Sequence, residues 1–243
     1  MISKTQSPKA FEKIFIALDN MTKEEVFIFL DQAPEIKKIK IGMELFYAYG
    51  PMFLDEIKKK YHHEIFLDLK LHDIPQTVSR AIKSLSSLPI NSLTIHLSGG
   101  EAMLSAAYQA KETWAPHLQL IGVSVLTSLD SNDYFNIHQS PLNLETYKHL
   151  FNMASNAKLN GVVCSPLECS LKSNYELNFI CPGIRFESEL NQNEVQDQKR
   201  VASFESQINH ADFLVIGRSI TNLIQTPTQL RARLDYINHY PII

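Results

Sequence analysis

The run Phe66-Leu67-Asp68-Leu69-Lys70-Leu71-His72-Asp73-Ile74-Pro75-Gln76-Thr77 alternates hydrocarbon with charge. Successive side chains of an extended segment point to opposite faces, so Phe66, Asp68 and Lys70 share one face and Leu67, Leu69 and Leu71 the other. On an edge strand the ionic face would simply be solvated, and that bland reading has to be weighed first. Asp73 argues against it. A third charge falls where the strand should end, and Ile74-Pro75-Gln76-Thr77 then opens a helix expected to run to about Leu88, with proline at its first turn. The charges therefore sit at the carboxyl end of a strand in a strand-loop-helix unit, where α/β proteins keep their active sites.

Working outward, the same unit recurs. Ile14-Phe15-Ile16-Ala17-Leu18-Asp19 is an apolar run closing on a carboxylate, and Thr22 caps an amphipathic stretch to about Ala33. Ile36 to Gly42 repeats the pattern with Lys40 near its end, followed by a helix through Lys60. Beyond the opening run come Ser92-Leu93-Thr94-Ile95-His96 with a helix from about Gly100 to Trp114, then a fifth strand from Leu118 to Leu126. The Ser/Asp/Asn-rich segment Thr127 to Pro141 is long for a strand-to-helix connection and reads as a functional loop or lid. A helix from Asn143 to Leu159 follows, then strands at Gly161–Cys164, Leu177–Cys181 and Ala211–Ile216 and a last helix ending near Asn238. Eight strands, each trailed by a helix, predict one (β/α)8 barrel of the TIM type over residues 1–243 in preference to an open doubly wound sheet. In such a barrel all the strand ends converge on one face. Asp19, Lys40, Asp68, Lys70, His96 and Thr127 are then neighbours.

Composition bounds the partners. With 243 residues, 44% hydrophobic and 20% charged, the chain can bury one large core, and no linker, repeat or low-complexity tract divides it. A formal charge of −3 offers no global attraction to nucleic acid or to an anionic membrane, so an anionic ligand needs a local cluster of Lys and Arg. Met1 to Lys13 lacks the apolar core of a signal peptide, and no run approaches the roughly 18 apolar residues of a membrane span, which predicts a cytosolic protein. Cys164, Cys169 and Cys181 are odd in number and show no CxxC spacing, which predicts buried free thiols without a disulfide or thiolate zinc site.

The required basic cluster is found at the end of the chain. The seventh strand closes in Cys181-Pro182-Gly183-Ile184-Arg185 and the eighth in Val215-Ile216-Gly217-Arg218-Ser219. Barrels commonly bind phosphate between these two loops, where glycine admits a close approach and an arginine supplies charge. One Gly-Arg pair is weak evidence; two at the two expected strand ends point to an anion site. Phe186 to Gln198, polar and without strong periodicity, reads as a mobile flap over it.

These residues resemble the orotidine 5′-phosphate decarboxylase family, the last enzymes of de novo UMP synthesis. Asp68-Leu69-Lys70-Leu71-His72-Asp73-Ile74-Pro75-Gln76-Thr77 is similar to the family signature almost letter for letter. The likeness extends to Ala17-Leu18-Asp19, Lys40-Ile41-Gly42, Leu126-Thr127-Ser128, Pro182-Gly183-Ile184-Arg185, Asp197-Gln198 and Ile216-Gly217-Arg218, in order along nearly the whole chain. It departs from the family in a longer segment between Arg185 and Gln198, and in Ser219 where proline is common. The resemblance implies Lys70 as proton donor to C6, flanked by Asp68 and Asp73, with Lys40 as the other cation of an alternating Lys-Asp-Lys-Asp array. It implies that Asp19 and Lys40 hold ribose hydroxyls and that Thr127 faces the pyrimidine. Pro182, Arg185, Gln198, Gly217 and Arg218 fall to the phosphate end. Asp73, Ile74 and Thr77 serve the partner subunit's site in a homodimer, no cofactor or metal is needed, and His72 and His96 are structural. Two rival readings stand beside it: a Mg²⁺-dependent sugar-phosphate decarboxylase or synthase on the same barrel, and a nucleotide-binding protein without turnover, against which the intact Lys40, Asp68, Lys70 and Asp73 argue.

Overall fold

The structure, a computed structural model, describes residues 10–190 and 201–242. Asp197 and Gln198, with most of the expected flap, and the first nine residues of the segment read for a signal peptide lie outside the described residues.

The order along the chain is β1 (Ile14–Ala17), α1 (Lys23–Gln32), β2 (Lys38–Gly42), α2 (Met43–Tyr61), β3 (Glu64–Leu71), α3 (Pro75–Leu85), β4 (Ser92–His96), α4 (Gly100–Trp114) and β5 (Gln119–Val123). Then follow α5 (Ser131–His138), α6 (Leu144–Asn156), β6 (Gly161–Val163), β7 (Asn178–Cys181), β8 (Ile184–Arg185), β9 (Ala202–Ser203), α7 (Phe204–Gln207), β10 (Phe213–Ile216), α8 (Arg218–Thr221) and α9 (Pro227–His239). Eight strands close a parallel barrel in the order β1-β10-β7-β6-β5-β4-β3-β2, and β8 and β9 form a separate two-stranded parallel sheet.

Local chemistry sets the ends of these elements. Thr22 accepts from the Glu25 amide while Glu25 accepts from the Thr22 amide, a capping box that satisfies two otherwise orphaned donors of α1. His62 stops α2 in the left-handed conformation (φ 59°), and Gly50 (φ 68°) before Pro51 kinks that helix midway. Inside the barrel, Phe15, Ala17, Phe66, Ile121, Ile180 and Val215 pack against one another, and Lys38 Nζ lies over the Phe15 and Phe213 rings at 5.7 and 5.5 Å. Leu67 and Leu69, with Leu71 packed against them, face the opposite way into the core between strands and helices. Truncating the fully buried Phe66 to alanine costs about 3–5 kcal/mol.

Three expectations are corrected. The connection Thr127–Pro141 is not bare loop, because Asp130 nucleates α5 by accepting from the Asn132 and Asp133 amides. The helix expected after every strand is only a 3-10 helix, Pro166–Asn174, after β6, and after β7 the chain makes the β8–β9 sheet and the four-residue α7 instead. Phe186 does not open a free polar flap. Its ring is buried, 3.9 Å beneath the Arg233 guanidinium, and Arg233 also pairs with Glu189 at 2.6 Å. The three cysteines are free and buried, as their spacing predicts. Among the described residues no helix is long and apolar enough to cross a membrane.

Candidate active site

A cavity of about 320 Å³ opens at the carboxyl ends of the barrel strands. It is walled by Asp19 after β1, Lys40 on β2, Asp68 and Lys70 on β3, Thr127 after β5, Pro182 and Arg185 after and on the seventh-strand loop, and Gly217 and Arg218 after β10. Val123, Val125 and Val163 supply an apolar side.

The charges form a continuous chain. Lys40 Nζ donates to Asp19 Oδ2 at 2.9 Å and Oδ1 at 3.2 Å and lies 3.4 Å from Asp68 Oδ2. Lys70 Nζ donates to the same Asp68 oxygen at 2.8 Å. Signs therefore alternate Asp19, Lys40, Asp68, Lys70 across three adjacent strands. Burial by itself would lower the pKa of Lys40, but Asp68 and Asp19 on either side outweigh it and the pKa is raised. Burial would likewise raise that of Asp68, yet the Lys40 and Lys70 ammoniums, and hydrogen bonds from Lys70 and Thr94, leave it lowered. Both groups are held ionised around neutrality.

Glycine 42 is required by this closeness. A Cβ there would stand 2.7 Å from Asp19 Oδ1 and 3.4 Å from Lys40 Nζ. At the other side of the mouth Gly183, with φ 77°, turns the chain between β7 and β8 in a conformation that L side chains rarely adopt, and so presents Arg185 to the cavity.

Asp73, Ile74 and Thr77 are not brought into this cavity. They are exposed on the loop after β3 and the first turn of α3, where Asp73 Oδ1 accepts from the Ile74 amide at 2.7 Å. Gln198 lies outside the described residues. His72 and His96 lie against each other with ring centroids 5.1 Å apart and planes tilted by 37°, and do not line the cavity. One residue that sequence reasoning passed over is Thr94, fully buried on β4, whose hydroxyl donates to Asp68 Oδ1 at 2.9 Å and accepts from the Lys70 amide at 2.7 Å. The available signal was a hydroxyl inside an apolar strand, which is too common to single out one residue.

Fold and site together define the class: a (β/α)8-barrel enzyme that works with fixed charge of both signs at the carboxyl ends of its strands. The chain belongs to the orotidine 5′-phosphate decarboxylase / HUMPS family, whose model matches residues 12–228. It is 40% identical over 215 residues to the orotidine 5′-phosphate decarboxylase of Tolumonas auensis, covering 86% of this chain and 91% of that protein. The Listeria monocytogenes protein of the same name is 39% identical over 218 residues, with the same coverage. Among solved structures, orotidine 5′-phosphate decarboxylase from Lactobacillus acidophilus superposes with a TM-score of 0.75 at 29% identity, over 93% of this chain and 99% of that one.

Proposed function

We propose that this chain is an orotidine 5′-phosphate decarboxylase that converts the nucleotide to UMP and CO₂ in the last step of de novo pyrimidine nucleotide synthesis. The observation that carries the reading is the alternating Asp19-Lys40-Asp68-Lys70 chain facing Arg185 and Arg218 across one cavity. Losing CO₂ from C6 leaves a carbanion in the plane of the ring, which the pyrimidine π system cannot delocalise. A cation beside C6 replaces the electron sink that a cofactor would supply, and Lys70 is that cation and also the proton donor. Its partner Asp68, whose Oδ2 accepts from the ammonium at 2.8 Å, holds that cation in place. General acid catalysis supplies only about 10²–10⁴-fold, so most of the acceleration comes from preorganised charge and from binding energy at the phosphate end. Arg185 and Arg218 grip the phosphate, with Gln198, Pro182 and Gly217 completing that end. Asp19 and Lys40 hold the ribose hydroxyls, and Thr127 faces the base.

The same proposal includes a homodimer with shared sites. Asp73, Ile74 and Thr77 stand outside their own cavity, and Ile74 is 67% exposed, an apolar side chain left in water unless a second copy covers it. Met43 and Tyr47, one turn apart at the start of α2 and at the same end of the barrel, are exposed as well. Asp73 of one subunit then completes the charge chain of the other, in a cytosolic enzyme that works without a cofactor.

The Mg²⁺-dependent rival asks for a set of oxygen ligands. Both oxygens of Asp68 are already engaged, by Thr94 and by the two lysines, and among the described residues no group of three or more His, Cys, Asp or Glu side chains could hold a metal. The test is the loss of absorbance when purified protein meets orotidine 5′-phosphate, with and without EDTA. Turnover unaffected by the chelator is expected; inert protein refutes the reading, and turnover abolished by EDTA favours the rival.

A further inference from the structure

We propose that Thr94 is a positioning residue that sets Lys70 and Asp68 in their working geometry. This rests on the decarboxylase reading for its kinetic consequence, but the geometric observation stands without it. β3 and β4 are in register at Leu67 with Leu93 and again at Leu71 with Ile95. Three residues of β3, Asp68, Leu69 and Lys70, therefore stand against Thr94 alone. The parity of the faces survives this double insertion, so Leu67 and Leu71 still point outward while both charges point into the mouth. The ladder, however, is broken where the two functional residues sit, and Lys70 takes a left-handed backbone conformation, φ 49°, that a lysine seldom adopts.

The side chain of Thr94 replaces the missing ladder contact. Its oxygen accepts from the Lys70 amide at 2.7 Å, so its single proton is left for Asp68 Oδ1, 2.9 Å away. One hydroxyl thus fixes the backbone that launches the Lys70 side chain and the carboxylate that its ammonium meets. With Oδ1 pinned by Thr94, Asp68 turns Oδ2 to both Lys70 and Lys40. Thr94 is fully buried, so water does not substitute for it. Among the described residues it is not part of the cavity lining, and its hydroxyl meets Asp68 and Lys70, which makes its effect specific to the charged centre.

The test uses full-length enzyme with Thr94→Val, which keeps the shape and removes the hydroxyl, and Thr94→Ser, which keeps the hydroxyl. Four quantities are read: kcat, KM, the Kd for UMP, and hydrogen exchange at the Lys70 amide. For Thr94→Val, kcat is expected to fall about 10–100-fold, the size of one hydrogen bond to a charged group, while KM and the UMP Kd stay within about threefold. The Lys70 amide should exchange about tenfold faster or more, and Thr94→Ser should restore both quantities to within about threefold of wild type. Wild-type kcat in Thr94→Val, unchanged Lys70 exchange, or a loss that serine does not restore overturns the proposal. If Thr94→Val does not fold, Thr94→Cys is read in the same way, since a thiol is a weak donor and acceptor. If the wild type itself fails to decarboxylate, the functional reading falls, and the exchange measurement still decides whether Thr94 holds Lys70.

Discussion

Replacing Gly42 by alanine separates the ribose end of the site from its charged centre. The backbone tolerates the change, because Gly42 has φ −88° and ψ −177°, ordinary extended values. The added Cβ is the perturbation. It would stand 2.7 Å from Asp19 Oδ1, about 0.6 Å inside the closest comfortable carbon–oxygen contact, so the carboxylate must rotate away. Asp19 can do so, since its side chain is 44% exposed, and the fold should survive with little change in melting temperature. What is lost is the two-oxygen grip on Lys40 at 2.9 and 3.2 Å, of which one contact remains. The displaced carboxylate also loses its proposed contact with a ribose hydroxyl; one charge-assisted hydrogen bond of about 1.5 kcal/mol corresponds to about tenfold in affinity, and it should appear in KM, because ribose contacts are the same in the ground and transition states. Asp68 is still held by Lys70 and Thr94 and only the Lys40 end of the charge chain is loosened, so kcat should stay within about threefold. Initial rates by absorbance over a range of orotidine 5′-phosphate, with a thermal melt as control, measure this. A folded Gly42→Ala enzyme with unchanged KM would refute the reasoning, and so would an equal loss in kcat.

Lys70→Ala should abolish decarboxylation and leave the circular dichroism spectrum intact, since the apolar face of β3 is unaltered; near-wild-type turnover by a pure sample sinks the assignment. Arg218→Ala should weaken orotidine 5′-phosphate far more than the nucleoside orotidine, which has no phosphate to grip, and equal losses would remove Arg218 from the phosphate site. Mixing inactive Lys70→Ala with inactive Asp73→Ala subunits should restore activity toward about a quarter per total site, because half of randomly exchanged dimers are mixed and each owns one intact site. If mass spectrometry shows exchange and no activity returns, Asp73 acts in its own subunit. His63 is buried, and burial, aided by the charges of Lys37 and Lys58, lowers its pKa from 6.5 to about 4. The unfolded chain therefore binds the extra proton first, so stability falls as pH drops below the unfolded value, by at most about 2 kcal/mol at about pH 5. His63→Leu should flatten that part of the profile in urea melts, and an unchanged slope would show that His63 is not its source.

Much of this protein was legible along the chain because the information is local or periodic. The alternation in Phe66–Leu71 assigns faces, Thr22 and Glu25 cap α1, and charges recur at the ends of apolar runs; each is settled by a few neighbouring residues. From these the barrel follows, and with the barrel the meeting of Asp19, Lys40, Asp68, Lys70, Thr127, Arg185 and Arg218 at one mouth. The family likeness adds the chemistry assigned to them. What only the tertiary structure decided depends on groups far apart in sequence. The three-against-one mismatch of β3 and β4 follows from how two strands register across a whole strand-helix unit, and the hydroxyl that repairs it is 24 residues from Lys70 and 26 from Asp68. The burial of Phe186 under Arg233 joins segments more than forty residues apart, and the polar run after Phe186 conceals the anchor that starts it. Hydrophobic pattern specifies which face is buried, whereas hydrogen-bond complementarity between distant strands specifies where within that face a charge is held. The first is written in every short window of the sequence, and the second exists only once the barrel has closed.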